Sequence, residues 1–212
     1  MTENPSSPTA DPTRVRSRIR FARSVLIGFV IAMFATVVIG TATADAVSAE
    51  APASTGTIST EADRAIADLV GPSPADAIAH LPRGFAATMG YRPILEDGRP
   101  VNPRGGCSSP VPLPDRFEPL CRTHDFGYDL LRFDTRTGHA PGQWGRRSLD
   151  TWLIDSMHAS CTNPVCSIAA SMADAGLTAN SWRQRWDTPV PESGGDLVAT
   201  ATLRTFDALA RR

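Results

Sequence analysis

The sequence predicts a mainly α-helical domain cross-linked by disulfides, and three observations carry that expectation. Apolar residues recur at helical spacing in three long stretches between Leu120 and Trp186. Gly and Pro, which punctuate structure, crowd instead into residues 84–114. Four cysteines, Cys107, Cys121, Cys161 and Cys166, enter or flank the helical stretches. With 42% hydrophobic and 20% charged residues among 212, the composition is that of a globular chain and excludes collagen-like, coiled-coil and fully disordered classes.

Charge narrows the partners. The chain carries a net charge of −1, yet residues 1–49 hold five arginines against Glu3, Asp11 and Asp45, which leaves the remainder acidic. A mildly acidic body lacks the clustered cations that phosphate backbones require, so nucleic acid is not an expected partner. All 21 basic residues are arginine, which reads as coding bias of the source genome.

Taken in order, the chain opens on a targeting segment. Arg14, Arg16, Arg18, Arg20 and Arg23 precede an uncharged run from Ser24 to Ala44 whose apolar core is Val25–Ile39. Small residues suitable for cleavage follow at Ala42-Thr43-Ala44 and Val47-Ser48-Ala49. Residues 1–49 therefore read as a secretory signal, or as an anchor through 24–44, and both place the rest outside the membrane because positive charge stays inside. The expected location is secreted or extracytoplasmic. Residues 50–58 form a small-residue linker.

The domain is expected over 59–190, with its core at 104–186. Ser59-Thr60-Glu61 supplies a cap and a first-turn acid for a helix carrying Ala65, Ile66, Leu69 and Val70, which Gly71-Pro72 stops. Ser73-Pro74 opens a short helix through Leu81. Residues 84–114 read as loop that builds no core, with a short hairpin about Glu96-Asp97-Gly98. Beyond the central helix, Arg146–Cys161 repeats Leu149, Leu153, Ile154, Met157 and Cys161 at core spacing, with Arg147, Asp155 and Ser156 outward. A third helix from Pro164 to about Trp186 turns Val165, Ile168, Ala169 and Met172 inward. The tail, 191–212, carries Leu197, Leu203, Phe206 and Leu209 on an amphipathic helix.

The central stretch, Leu120 to Leu131, organises the chemistry. At about 3.6 residues per turn Cys121, His124, Tyr128 and Leu131 share one face, with Asp125 about 100° away. Gly127 removes bulk beside His124 and lets a second helix come close, at a helical cost of roughly 1 kcal/mol against Ala. On that second helix Asp150 falls on the apolar face, where an ionised carboxylate needs a partner, and His124 is the candidate. A His-Asp pair is in itself more often a structural hydrogen bond than a catalytic one. Four cysteines in an exported chain argue for two disulfides, with three connectivities open. Their spacing suggests one bridge closing the loop that enters the central helix and another joining the second and third helices. Without a Cys-x-x-Cys spacing, a zinc site has little support.

Cys121-Arg122-Thr123-His124-Asp125-Phe126-Gly127-Tyr128 resembles the Cys-x-x-His-Asp-x-x-Tyr signature of the secreted phospholipase A2 superfamily, in the form of its small bacterial and fungal branch. Asp150, Met157 and Cys161 match that branch's second helix, so the likeness spans about 104–180. The resemblance implies a disulfide-linked antiparallel helix pair with a third packed helix and bridges Cys107–Cys121 and Cys161–Cys166, and it says nothing of 50–100, where the extra short N-terminal helices fall, or of the tail. It implies that His124 is the general base activating water against the sn-2 ester of a phospholipid and that Asp150 holds the other ring nitrogen. It implies a calcium ion at Asp125 and the carbonyls of Gly105 and Gly106, and a monomer acting on a phospholipid at a membrane or micelle surface. No Gly-x-Ser-x-Gly supports a serine esterase instead.

One position departs from the pattern. Where the bacterial branch has Asp two residues before its first loop cysteine, this chain has Gly105, which implies millimolar calcium binding or none. Glu96, Asp97 or Asp115 are the nearby substitutes. Tyr128 either bonds Asp150 or packs, and Arg122 either meets a lipid phosphate or stays solvated. His80, His139 and His158 read as surface histidines, and Trp144, Trp152, Trp182 and Trp186 as packing residues. Two function classes follow: a calcium-assisted phospholipase A2-like hydrolase, favoured by retention of His124 and Asp150, or an exported module of that fold with weak or no catalysis, favoured by the missing carboxylate.

Overall fold

In the computed structural model the described residues are 58–212, apart from 110, 140, 192–193 and 211–212. The signal or anchor at 1–49 and nearly all of the linker lie outside them. Among the described residues no helix is long and apolar enough to cross a membrane.

The first helix, α1 (Glu61–Val70), starts where Thr60 and Asp63 cap each other reciprocally: the Asp63 amide donates to Thr60 Oγ1 at 2.9 Å and the Thr60 amide donates to Asp63 Oδ2 at 3.2 Å. Ala62, Ala65, Ile66 and Leu69 form its buried face. A 3₁₀ turn, Pro74–Ile78, is shorter than the helix expected through Leu81, and α2 (Phe85–Met89) follows between two left-handed glycines, Gly84 and Gly90. A two-stranded hairpin, β1 (Ile94–Glu96) and β2 (Arg99–Val101), pairs Ile94 with Val101 and Glu96 with Arg99. Its two-residue turn puts Asp97 and Gly98 both at positive φ, 48° and 77°, as a tight hairpin turn demands.

A 3₁₀ turn, Asp115–Phe117, leads into α3 (Glu118–Arg136), followed by α4 (Gln143–Ser160), α5 (Pro164–Arg183) and α6 (Gly194–Ala210). The architecture is thus mainly helical, with two disulfides, Cys107–Cys121 and Cys161–Cys166. Two apolar clusters hold it together. One joins the α1 face to Phe126, Leu130, Leu131 and Phe133 of α3 and Leu149 of α4. The other gathers Phe117, Cys121, Trp152, Leu153, Met157, Cys166 and Ala170. Gly127 makes room for α4: a Cβ there would sit 2.2 Å from Leu149 Cδ2, so the absent side chain is the condition for this packing.

Two expectations are corrected. Residues 84–114 do build core, because Phe85 and Val101 are buried and Phe85 sets its ring edge-on to Tyr91 and Phe126. Single apolar residues among glycines and prolines carry no periodicity by which to find them. On α5, Val165, Ile168 and Met172 face outward, 77%, 60% and 53% exposed, while Cys166, Ala170 and Ser181 face in. The Cys161–Cys166 bridge explains the phase: it draws Cys166 onto α4, and residues one before or two after it are rotated about 100° and 200° away. Ala169, between the two faces, is half-buried against the second cluster.

Candidate functional site

α3 and α4 bring His124 and Asp150 together. His124 Nε2 lies 2.9 Å from Asp150 Oδ1, and both residues are buried. Tyr128, one turn along the His124 face, donates its hydroxyl to the same oxygen at 2.6 Å and stacks at an angle on the imidazole, with ring centroids 4.0 Å apart. Of the two roles left open for Tyr128, the hydrogen bond is the one observed. Ser181 of α5 donates to Asp150 Oδ2 at 2.6 Å. Three donors from two helices beside its own thus satisfy a buried carboxylate that would otherwise cost several kcal/mol.

These contacts assign the imidazole tautomer. Burial, reinforced by the Asp150 charge, pushes the Tyr128 phenol up, so it stays protonated and can only donate to Asp150. An ionised carboxylate only accepts. Nε2 must therefore carry the hydrogen of the His124–Asp150 bond, and Nδ1 keeps its lone pair. The pair can accept a proton at Nδ1 and stabilise the resulting imidazolium through Asp150.

Asp125 leaves the same turn toward the loop at 102–107, where the Gly106 amide donates to its Oδ2 at 2.8 Å. The loop is tied down on both sides: Asn102 donates its amide to the Arg122 carbonyl at 3.0 Å, and the Cys107 amide donates to Glu118 Oε2 at 3.2 Å. Burial raises the Asp125 carboxyl above its ordinary range, and the Gly106 amide pulls the other way. Gly105 is needed here for space rather than for a left-handed backbone: a Cβ would stand 2.6 Å from Asp125 Oδ2.

Asp125, Gly105 and Gly106 do fall together, with a single carboxylate among them. Calcium takes about 6–8 oxygens. Asp125 brings one carboxylate, and one of its oxygens already accepts the Gly106 amide. Among the described residues no group of three or more His, Cys, Asp or Glu side chains converges. The nearby Glu96 is engaged by Arg122, whose Nη1 donates to both carboxylate oxygens at 2.7 Å, so the Arg122 charge is paired rather than free in solvent. Asp97 occupies the hairpin turn and Asp115 begins a 3₁₀ turn.

Several contributors escape the sequence reading. Asp129, one turn beyond Asp125, accepts from Tyr91 Oη at 2.8 Å, Asn102 Nδ2 at 3.0 Å and Arg132 Nη1 at 2.8 Å, and so braces the loop from below. Its spacing from Asp125 was the available signal. Arg146, four residues before Asp150, is 1% exposed and donates from Nε to Ser181 Oγ at 3.0 Å. The i,i+4 spacing to Asp150 marks it, whereas Ser181 was hidden by the misplaced phase of α5. Of the other histidines, His80 pairs with Asp68, and His139 and His158 are exposed. A groove of about 710 Å³ opens between the 107–114 loop and the start of α3, lined among others by Val111, Leu113, Glu118 and Arg122. Neither His124 nor Asp150 lines it.

No family model, no curated protein and no solved structure matches the chain.

Proposed function

We propose that the chain is an exported, phospholipase A2-type ester hydrolase, in which α3 and α4 are the antiparallel, disulfide-supported helix pair of that fold. The observation that carries the reading is the buried His124–Asp150 hydrogen bond with the imidazole fixed as the Nε2–H tautomer. In the reaction, Nδ1 of His124 takes a proton from a water molecule as its oxygen attacks the sn-2 ester carbonyl of a phospholipid. The imidazolium, held by Asp150, then gives that proton to the departing alkoxide, so one water is consumed and a fatty acid and a lysophospholipid leave. General base catalysis of this sort contributes about 10²–10⁴-fold. Calcium would add charge stabilisation at the carbonyl oxygen, with Asp125 its one carboxylate ligand.

The test is hydrolysis of phosphatidylcholine and phosphatidylglycerol vesicles with calcium or with chelator. His124→Gln should lower turnover by about 100-fold or more while leaving the fold intact, and Asp150→Asn should lower it less. Equal rates in His124→Gln and the natural protein would remove the reading. A second reading, an exported module of the same fold without catalysis, is favoured by the Gly106 amide on Asp125 and the closed space at Gly105. It predicts no hydrolysis under either condition and no heat on calcium titration.

A further inference from the structure

Asp150 is reached from two helices beside its own, and the second, α5, has no part in the chemistry above. From α3 come His124 and Tyr128, both on Oδ1. From α5 comes Ser181, on Oδ2. Behind Ser181 stands Arg146 of α4, whose Nε donates to Ser181 Oγ at 3.0 Å and whose guanidinium lies 5.3 Å over the Tyr128 ring. The guanidinium thus touches both of the hydroxyl-bearing residues that donate to Asp150.

We infer that Arg146 and Ser181 are positioning residues of this site: Arg146 fixes the Ser181 hydroxyl, and Ser181 fixes the Asp150 carboxylate in the orientation that holds His124 as its Nε2–H tautomer. The reason is directional. A serine hydroxyl has one hydrogen and two lone pairs and rotates to suit its neighbours. An Arg Nε–H aimed at the oxygen occupies one lone pair and leaves the hydrogen for Asp150 Oδ2. Without it the hydroxyl is free to turn to a backbone carbonyl of the preceding helical turn, as Ser and Thr side chains in helices commonly do. Arg146 is itself held, since Nη1 donates to Gln184 Oε1 at 2.9 Å and to the Asp187 carbonyl at 2.5 Å. Its Nη2 finds no partner among the described residues, so the buried cation is retained with its hydrogen bonding incomplete. With Oδ2 tethered through Ser181, the Asp150 carboxylate is held from rotating about its Cβ–Cγ bond, and Oδ1 stays on the imidazole. Arg132, 5.8 Å over the Tyr128 ring from the α3 side, pairs with Asp129 and does not reach Asp150.

The inference rests on the hydrolase reading only for its kinetic consequence, and the experiment separates the two. Nitrogen-15 NMR of the histidine rings in the full chain reads the tautomer directly, whether or not the protein turns over. The natural protein should show His124 as a single Nε2–H tautomer with a proton resonance protected from exchange. Ser181→Ala should admit the Nδ1–H form and expose that proton to exchange, Ser181→Thr should restore the natural spectrum, and Arg146→Gln should resemble Ser181→Ala. In the hydrolysis assay Ser181→Ala should lower kcat about tenfold with KM unchanged, since an orientation realised in the reacting state is lost and a binding contact is not. If Arg146→Gln fails to fold, Ser181→Ala against Ser181→Thr decides alone. A folded Ser181→Ala protein with unchanged tautomer and exchange would overturn the inference, even if the natural protein hydrolyses phospholipid. Altered tautomer in a protein that hydrolyses nothing would keep the positioning role and remove the hydrolase reading.

Discussion

At the scale of single residues, the two acids of the central site have opposite surroundings. Asp150 accepts three hydrogen bonds from side chains, whereas Asp125 has one backbone amide, and burial holds its carboxyl above the ordinary value. For stability the sign follows from proton binding. Below about pH 4 the carboxyl is protonated folded and unfolded, and carries no penalty. As pH rises the unfolded chain releases its proton first, so Asp125 lowers stability until the folded carboxyl also ionises. Asp125→Asn keeps an acceptor for the Gly106 amide and drops this penalty. Urea midpoints should therefore agree for variant and natural protein near about pH 3.5 and diverge in favour of the variant toward about pH 7. Asp134, also raised by burial, contributes the same slope to both proteins and cancels. A gap independent of pH would refute the assignment. The same variant should lose any stabilisation by millimolar calcium that the natural protein shows.

At the scale of elements, the helices were legible where an apolar face and a terminus signal agreed. Thr60 with Asp63 caps α1 where the sequence places a cap, and Gly127 admits α4 where the sequence leaves a gap. His124 and Asp150 could be paired beforehand because a buried acid restricts its own partners. On α5 the same reasoning failed, since small apolar and polar residues are mixed around that helix with little contrast between faces, and its phase is decided by a disulfide instead. Ser181, the inward residue at the far end, was lost with the phase, and Phe85 and Val101 were lost because isolated core residues in turn-rich chain leave no pattern. The corrected phase has a measurable outcome. Ile168→Gln and Met172→Gln, on the exposed face, should shift unfolding free energy by less than about 0.5 kcal/mol. Ala170→Leu, on the buried face, should cost about 1–3 kcal/mol through overpacking. Urea denaturation reads all three, and a large loss from Ile168→Gln would restore the original orientation.

At the scale of the molecule, the two disulfides have different tasks. Cys161–Cys166 closes a separation of 5 residues between consecutive helices and sets the rotation of α5. Cys107–Cys121 closes 14 residues and pins the loop whose Gly106 amide meets Asp125 to the helix that carries His124. In the chain-entropy account the longer loop contributes about 3 kcal/mol and the shorter about 2 kcal/mol. Replacing Cys107 and Cys121 together by serine should therefore destabilise more than replacing Cys161 and Cys166. For a domain of this size the first change corresponds to a fall in Tm of about 6–12 °C. The functional consequences should divide differently from the thermal ones. Loss of the first bridge frees the loop over Asp125 but leaves the Ser181–Asp150–His124 chain intact, whereas loss of the second frees the helix that carries Ser181. Thermal unfolding paired with the His124 tautomer spectrum separates these tasks: the Cys107 and Cys121 double variant should show the larger fall in Tm with its imidazole unchanged, and the Cys161 and Cys166 variant the smaller fall with the Nδ1–H form appearing. Equal falls in Tm with identical spectra would mean that the bridges merely staple the chain.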